Sequence, residues 1–198
     1  WSQLILHPSV RWNQIRRVPS ILCDYAGGVA TDDDFRVRPA TTVDIRAISA
    51  LIQPLVESRV LLGKDLVVLF ESVQEFTVAV DNDDRVIGCG ALHVFWEDLG
   101  EIRTLSVSPD HTHRGVGHAL IDALEARAVS LGLTKLFCLT FEVDFFTSHG
   151  FAIQPDVDVE PDVYAALVRS PDEGVAEFLD LARVKPNTLG NSRMVKNL

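Results

Sequence analysis

The chain has 198 residues, of which 47% are hydrophobic and 23% are charged, and its formal net charge is −10. This length suffices for one domain with its own core, and the hydrophobic content excludes a disordered chain. The short apolar runs exclude a membrane-spanning protein, and the acidic balance argues against a nucleic-acid partner. Because the chain also starts without a signal-peptide pattern, we expect a cytoplasmic protein that binds neither membranes nor nucleic acid.

The hydrophobic pattern divides the chain into two parts. Residues 1–34 show no sustained period and end in an acidic run, which predicts a flexible N-terminal extension. Regular patterning begins at Phe35, so we expect one domain over residues 35–198.

The first half of the domain predicts a strand, two helices and a hairpin. The stretch "FRVRPA" alternates apolar and polar residues, as a strand does. A helix is expected to follow, with Thr42 as its N-cap and with Pro54 kinking or ending it. A second, shorter helix is predicted for "LGKDLVVLFESV". Two β-rich runs then flank Asn82, Asp83 and Asp84, which predicts a hairpin.

The second half predicts a strand, a loop, a long helix and a buried strand. "LGEIRTLSVSP" is typical of a strand, and Gly132 stands where the later helix should end. That helix places apolar residues on one face, namely Leu120, Ile121, Leu124, Ala128 and Leu131. "KLFCLTF" is apolar enough for a parallel strand buried on both faces, and "VDFFTSHGF" predicts a short helix and turn. The order predicts an α+β fold with a sheet that contains one βαβ crossover.

Cysteine and histidine spacing argues against a metal site and against disulfides. The three cysteines form no C-x-x-C pair, so we expect reduced thiols, two of them inside strands: Cys23, Cys89 and Cys138. His111, His113 and His118 lie close together in sequence but lack the further ligands that zinc needs. We therefore expect no bound metal.

The loop within "SVSPDHTHRGVGHAL" indicates an anion site. Gly115 and Gly117 allow the main chain to approach a bulky anion, because no Cβ stands in the way. The free N–H groups and the positive dipole end of the following helix meet at the same point. Neither a P-loop nor a Rossmann fingerprint fits these glycines. The alternative to an anion site is an ordinary glycine turn with solvated histidines.

The residues around this loop resemble a known family. "LSVSPDHTHRGVGHALI" is similar to the acetyl-CoA motif of the GNAT acetyltransferase superfamily, in which a strand and V-x-P precede [QR]-x-x-G-x-[GA] at a helix start. Thr112 departs from this motif, since Gln or Arg is usual there. "GCGAL", "LGEIRTLSV", "KLFCLTFEVDFFTSHGF" and "GNSRMVKNL" resemble amino-acid N-acetyltransferases of the N-acetylglutamate synthase type. The chain resembles the short, stand-alone form, without the kinase-like domain of the long synthases.

The resemblance implies a GNAT fold, with a mixed, mostly antiparallel sheet flanked by helices, and acetyl-CoA as co-substrate. It implies that the backbone of Leu105 and Val107 pairs with the pantetheine arm, and that the amides from His113 to His118 hold the pyrophosphate. The implied cofactor-binding residues are Leu105, Ser106, Val107, His113, Arg114, Gly115, Val116, Gly117, His118, Phe145 and Phe146.

Glu101 and Thr140 are the implied catalytic residues. An α-amino group is largely protonated at neutral pH, so a general base should reach it. Glu101 matches the base of the synthases and shares a strand face with Arg103, although it could be an exposed strand-end residue. Thr140 matches a hydroxyl residue that could serve as acid, or it could simply bond to the backbone. Tyr164 is a more distant candidate for the acid.

The acceptor is expected to be a small amino acid. Its carboxylates call for Arg or Lys, and the candidates are Lys64, Arg103, Ser192 and Arg193. The resemblance implies L-glutamate, with L-glutamine as second choice, and hence the first step of arginine biosynthesis, with a homodimer as a possible assembly. Two alternatives remain open at this point: acetylation of a protein or peptide amine, and a CoA-binding sensor without catalytic activity.

Overall fold

The structure is a computed structural model that describes residues 34–154, 159–179, 181 and 190–198. The expected extension up to residue 33, with Cys23, lies outside the described residues. The strands are β1 (Phe35–Pro39), β2 (Phe76–Asp81), β3 (Val86–Val94), β4 (Leu99–Val107), β5 (Lys135–Thr140), β6 (Ala152–Ile153) and β7 (Ser192–Asn197). The α-helices are α1 (Ile45–Glu57), α2 (Leu66–Glu71), α3 (Val116–Ser130), α4 (Val143–Ser148), α5 (Pro161–Leu167) and α6 (Glu173–Phe178).

The strands form one sheet in the order β1-β2-β3-β4-β5-β7-β6. Neighbouring strands pair antiparallel except β4 and β5, which are parallel and are connected through α3. Their parallel pairing runs only from Leu99 opposite Lys135 to Glu101 opposite Phe137. Beyond that point β4 stays paired with β3 and β5 with β7, so the two strands diverge. The predicted mixed α+β sheet with a single crossover is confirmed.

Helices cover both faces of the sheet because its strands alternate their side chains. In β2, Val78 and Val80 pack with the residues of α1, whereas Ala79 packs with Leu120 of α3. In β5, Leu136 faces the α3 side and Phe137 packs against Phe178 of α6. Glu101 and Arg103 therefore lie on the face that α1, α2 and α6 cover.

Most predicted elements are present near their expected bounds. β1, the hairpin between β2 and β3, the strand β4, the buried parallel strand β5 and the short helix α4 all form as expected. Gly132 has φ +84° directly after α3, as a helix C-terminus favours. Cys89 and Cys138 are buried in β3 and β5 with free thiols.

Three local predictions need correction. The N-cap of α1 is Asp44 and not Thr42, because the Asp44 carboxylate accepts from the Thr41 backbone N–H at 2.8 Å and holds a turn ahead of the helix. Of the two outcomes expected at Pro54, a kink or an end, the end is wrong, because α1 continues to Glu57. Leu131 does not belong to the buried face of α3; it is 53% exposed, because it follows the last helical turn as the chain reverses.

The acidic segment after β6 and the C-terminal tail also form regular structure. The acidic segment contains α5 and α6, and the basic tail forms β7, which enters the sheet between β5 and β6. Met194 alone in β7 is fully buried, so the tail shows little of the alternation by which a strand is recognised. None of the described helices has the length and hydropathy that a bilayer crossing requires.

Candidate active site

A cavity of about 420 Å³ opens beside β4, close to the point where β4 and β5 diverge. The loop between α1 and α2 forms one wall, and the start of α6 forms the opposite wall. Seven of its seventeen lining residues are charged: Lys64, Asp65, Glu101, Arg103, Asp172, Glu173 and Glu177. Such an open pocket, with charged groups beside apolar ones, suits a small molecule that carries several hydrogen-bonding groups.

Glu101 is a buried carboxyl group facing this cavity. It is 4% exposed and so is not an exposed residue at a strand end. Burial raises the pKa of the Glu101 carboxyl to about 7; Arg103 opposes this rise and Asp172 adds to it. A carboxyl group with a pKa near neutrality can take up and release a proton under physiological conditions, which is the property that a general base needs.

Arg103 is held by carboxylates on two of its sides. Its Nη2 donates to Glu75 Oε2 at 2.9 Å, and its Nη1 donates to Asp172 Oδ2 at 3.0 Å. The same Nη1 lies 3.5 Å from Glu101 Oε2, a long and weak contact. Glu75 in turn contacts His93 Nδ1 at 2.8 Å. The two short hydrogen bonds of the guanidinium therefore go to Glu75 and Asp172, while Glu101 lies close enough to act on its charge.

Lys64 adds a second cation to the cavity wall. It belongs to the loop between α1 and α2. Burial lowers the pKa of the Lys64 ammonium, and Arg103 lowers it further, while the surrounding carboxylates oppose both. Of the four residues predicted to contact the acceptor, Lys64 and Arg103 line the cavity.

Thr140, Ser192 and Arg193 are placed differently. The Thr140 hydroxyl accepts from the Glu142 backbone N–H at 2.9 Å, which matches the alternative of a backbone-bonded strand hydroxyl. Ser192 pairs with Thr140 across β5 and β7, away from the cavity lining. Arg193 donates to the Phe178 carbonyl at 2.7 Å and stacks on the Phe178 ring, so it supports α6. Tyr164 lies in α5 and is 38% exposed.

The glycine loop has the geometry of an anion site. Gly115 has φ +80° and is the N-cap of α3. The Ala119 N–H donates to the Gly115 carbonyl at 3.0 Å, which is the first hydrogen bond of the helix. The N–H groups of Val116, Gly117 and His118 thus precede the helical bonding ladder and point out of the helix end. Amides and a helix dipole in this arrangement are able to hold a phosphate group without a cationic side chain.

Phe145 and Phe146 have separate positions relative to this loop. A Cβ at Gly117 would lie 3.4 Å from the Phe145 ring, and His118 packs on the same ring. Phe146 is 4% exposed and belongs to the core between the sheet and α3. Phe145 is therefore the phenylalanine that borders the loop. Arg114 forms an ion pair with Asp34 on the loop's outer side.

Strand β4 carries a bulge just before the segment expected to bind the cofactor. Thr104 has φ +58°, and the pairing register of β3 and β4 shifts between Cys89 and Ala91. After the bulge, Ser106 and Val107 pair again with β3. The opposite backbone edge of Leu105 to Val107 faces the gap left by β5, so it is placed to pair with a polar extended ligand.

Several residues of the site were not identified from sequence. His93 lies directly opposite Glu101 in the β3–β4 hairpin, so correct strand register would have indicated it. Glu75 and Asp172 contact Arg103 from 28 and 69 residues away, and no local pattern marks such contacts. The described part of the chain contains no group of three or more His, Cys, Asp or Glu side chains arranged to hold a metal ion.

Comparisons with known proteins agree with this geometry. Residues 51–152 match the model of the acetyltransferase (GNAT) family. The amino-acid acetyltransferase of Mycobacterium tuberculosis is 52% identical over 161 residues, which are 80% of this chain and 92% of that relative. The amino-acid acetyltransferase of Azotobacter vinelandii is 37% identical over 131 residues, 65% of this chain, but these are only 30% of its own length.

Two solved structures share the fold and contain CoA. Rv2747 from Mycobacterium tuberculosis, in complex with CoA and NLQ, has a TM-score of 0.79 at 51% identity and covers 82% of this chain and 98% of its own. N-acetylglutamate synthase from Neisseria gonorrhoeae, complexed with coenzyme A and N-acetyl-glutamate, has a TM-score of 0.66 at 27% identity over 83% of this chain. This chain matches 35% of that longer enzyme.

Proposed function

The chain belongs to the GNAT acetyltransferase family, and from this premise we propose that it transfers an acetyl group from acetyl-CoA to the α-amino group of an amino acid, either L-glutamate or L-glutamine. The observation that carries the proposal is the Glu101 carboxyl group, buried with a pKa of about 7 at the wall of a small cavity beside the diverging strands. The relatives named for amino-acid acetylation support an amino acid as acceptor.

The glycine loop and the free edge of β4 would hold acetyl-CoA. The amides at the start of α3 fit a pyrophosphate, and the edge from Leu105 to Val107, which pairs with no strand on the β5 side among the described residues, fits an amide-containing arm. When bound, acetyl-CoA supplies a thioester whose carbonyl carbon is open to attack by an amine. The CoA found in two related structures supports this co-substrate.

Glu101 would act as the general base. The incoming α-ammonium group must lose a proton before its nitrogen can attack, and the Glu101 carboxylate can accept that proton directly or through one water molecule. Arg103 lies 3.5 Å from Glu101 Oε2, and its two short hydrogen bonds go to Glu75 and Asp172. Burial outweighs the charge of Arg103, so the pKa of Glu101 stays raised and the carboxylate keeps its basicity.

The charges of the cavity favour glutamine over glutamate. Lys64 can meet the acceptor's α-carboxylate, with Arg103 beside it although Glu75 and Asp172 already hold that guanidinium. The lining also contains the carboxylates of Asp65, Asp172, Glu173 and Glu177. A second negative charge on the acceptor side chain would be repelled there, whereas a side-chain amide can donate to these acids. We expect kcat/KM to be higher with L-glutamine than with L-glutamate, measured as CoA release with a thiol reagent. Equal or higher values with glutamate would contradict this charge argument.

The test of the base is Glu101→Gln. The amide keeps the size of the side chain but cannot accept a proton, so kcat should fall about 100-fold or more while the Kd for acetyl-CoA stays unchanged. Glu71→Gln at the exposed end of α2 is the matched control and should keep full activity. Full turnover by the Glu101 variant would remove Glu101 from the mechanism. Absence of CoA release by the unaltered protein with any amino acid would favour the sensor alternative.

A further inference from the structure

The start of α6 lies directly on the Glu101 carboxylate. A Cβ built on Gly174 would lie 3.1 Å from Glu101 Oε2 and 3.0 Å from Asp172 Oδ1, so the helix approaches as closely as a glycine backbone allows. Val175 and Phe178 anchor α6 in an apolar cluster with Phe137 of β5. This close contact excludes water from one side of the carboxylate.

Asp172 connects this helix to Arg103 through its two oxygens. Oδ1 accepts from the Val175 backbone N–H at 3.1 Å and caps α6. Oδ2 accepts from Arg103 Nη1 at 3.0 Å, and this nitrogen lies nearer to Asp172 than to Glu101. Burial raises the pKa of Asp172, but Arg103, Lys64 and the Val175 backbone N–H together lower it by more, so the residue is ionised at neutral pH. One anion thus fixes both the covering helix and the guanidinium.

Charged groups from every surrounding element act on Glu101. Anions favour its protonated form and cations favour its ionised form. The charged and titratable groups that face it are Arg103 of β4, Asp172 at the start of α6, His93 of β3, Lys64 of the loop between α1 and α2, and the Cys138 thiol of β5. Glu75, which precedes β2, contacts Arg103 and His93. Asp172 differs from the others because it also holds the helix that buries Glu101.

We propose that Asp172 is a positioning residue for acetyl transfer, which seats α6 on Glu101 and draws Arg103 away from that carboxylate. The proposal rests on the proposed role of Glu101 as general base. Three effects of losing the Asp172 carboxylate have the same sign. An anion near Glu101 disappears, Arg103 becomes free to pair with Glu101, and α6 loses its link to β4, which admits water. Each effect stabilises ionised Glu101 and makes it a weaker base.

The test is the pH dependence of turnover in Asp172→Asn. Asparagine can still cap α6, but its amide cannot replace the carboxylate opposite Arg103. We expect the acidic limb of the kcat/KM profile to move down by about one pH unit and the plateau kcat to fall several-fold, with the Kd for acetyl-CoA unchanged. Asp162→Asn in the first turn of α5 is the matched control and should leave the profile in place.

Asp172→Ser provides a second variant, because serine also caps a helix but is too short to reach Arg103. If both variants fold and the acidic limb of the kcat/KM profile does not move in either, the proposal is overturned. Loss of the fold in both variants would also overturn it, because Asp172 would then contribute only to stability. The Glu101→Gln variant separates this result from failure of the proposed base. If that variant loses turnover while the Asp172 variants keep the original limb, only the positioning role is wrong.

Discussion

At the scale of single residues, two opposing effects set the pKa of Glu101: burial raises it and the charge of Arg103 lowers it. Arg103 stands 3.5 Å away and would alone lower the pKa of a carboxyl group, yet the pKa of Glu101 is raised to about 7. Burial is the larger effect, and the nearby Asp172 carboxylate adds to the rise that Arg103 opposes. A residue suited to accept a proton at neutral pH is thus also a residue that destabilises the fold when ionised.

This cost predicts a pH-dependent gain in stability for Glu101→Gln. The pKa of Glu101 is about 7 in the folded chain against an ordinary value of 4.5, so its favourable contribution is complete below pH 4.5 and is lost as the pH rises through 7. The free energy of unfolding of the variant, relative to the unaltered protein, should therefore increase by about 1–3 kcal/mol between pH 5 and pH 8. Calorimetry at both pH values measures it. The same difference at pH 5 and pH 8 would contradict the raised pKa.

At the scale of elements, helix α3 has a glycine with positive φ at each end. A comparison of the two can distinguish a purely structural glycine from one that shapes a ligand site. Gly115 before the helix and Gly132 after it have nearly equal positive φ values, +80° and +84°, and a Cβ at either position would meet nothing within 4 Å. Alanine should therefore introduce similar backbone strain at both ends, of about 1 kcal/mol. Only the N-terminal end carries the free amides proposed to hold the pyrophosphate.

The matched variants Gly115→Ala and Gly132→Ala test this assignment. Both should lower the melting temperature slightly, but only Gly115→Ala should weaken acetyl-CoA binding, by about tenfold, because a shifted turn misdirects the amides at the start of α3. Isothermal titration calorimetry gives the Kd of each. An unchanged Kd in the Gly115 variant, or equal weakening in both, would remove the loop from the proposed cofactor site.

At the scale of the whole molecule, the divergence of β4 and β5 brings the separate parts of the site together. The parallel pair ends at Glu101 and Phe137, so one gap lies between the loop that begins α3 and the cavity under α6. Backbone amides at one end can hold an anion although the chain's net charge is −10. At the other end, the acidic segment supplies Asp172 and the helix that covers Glu101.

The sequence by itself determined those features that depend on local geometry. Alternation along β4 predicted that Glu101 and Arg103 share a face, and the positions of Gly115 and Gly117 predicted a turn into a helix with free amides. Each of these features follows from a few consecutive residues, because the side-chain pattern of a strand or a helix repeats after only two to four residues.

Only the tertiary structure decided the chemistry of the carboxylate. Whether Glu101 is buried, and whether Arg103 pairs with it or with Asp172, depends on α6, about seventy residues along the chain from β4. Thr140 is the opposite case: the sequence suggested a catalytic hydroxyl, but in the structure this hydroxyl accepts a hydrogen bond from the Glu142 backbone N–H. A pKa reflects desolvation and charge summed over all neighbours in space, and those neighbours are set by packing rather than by sequence distance.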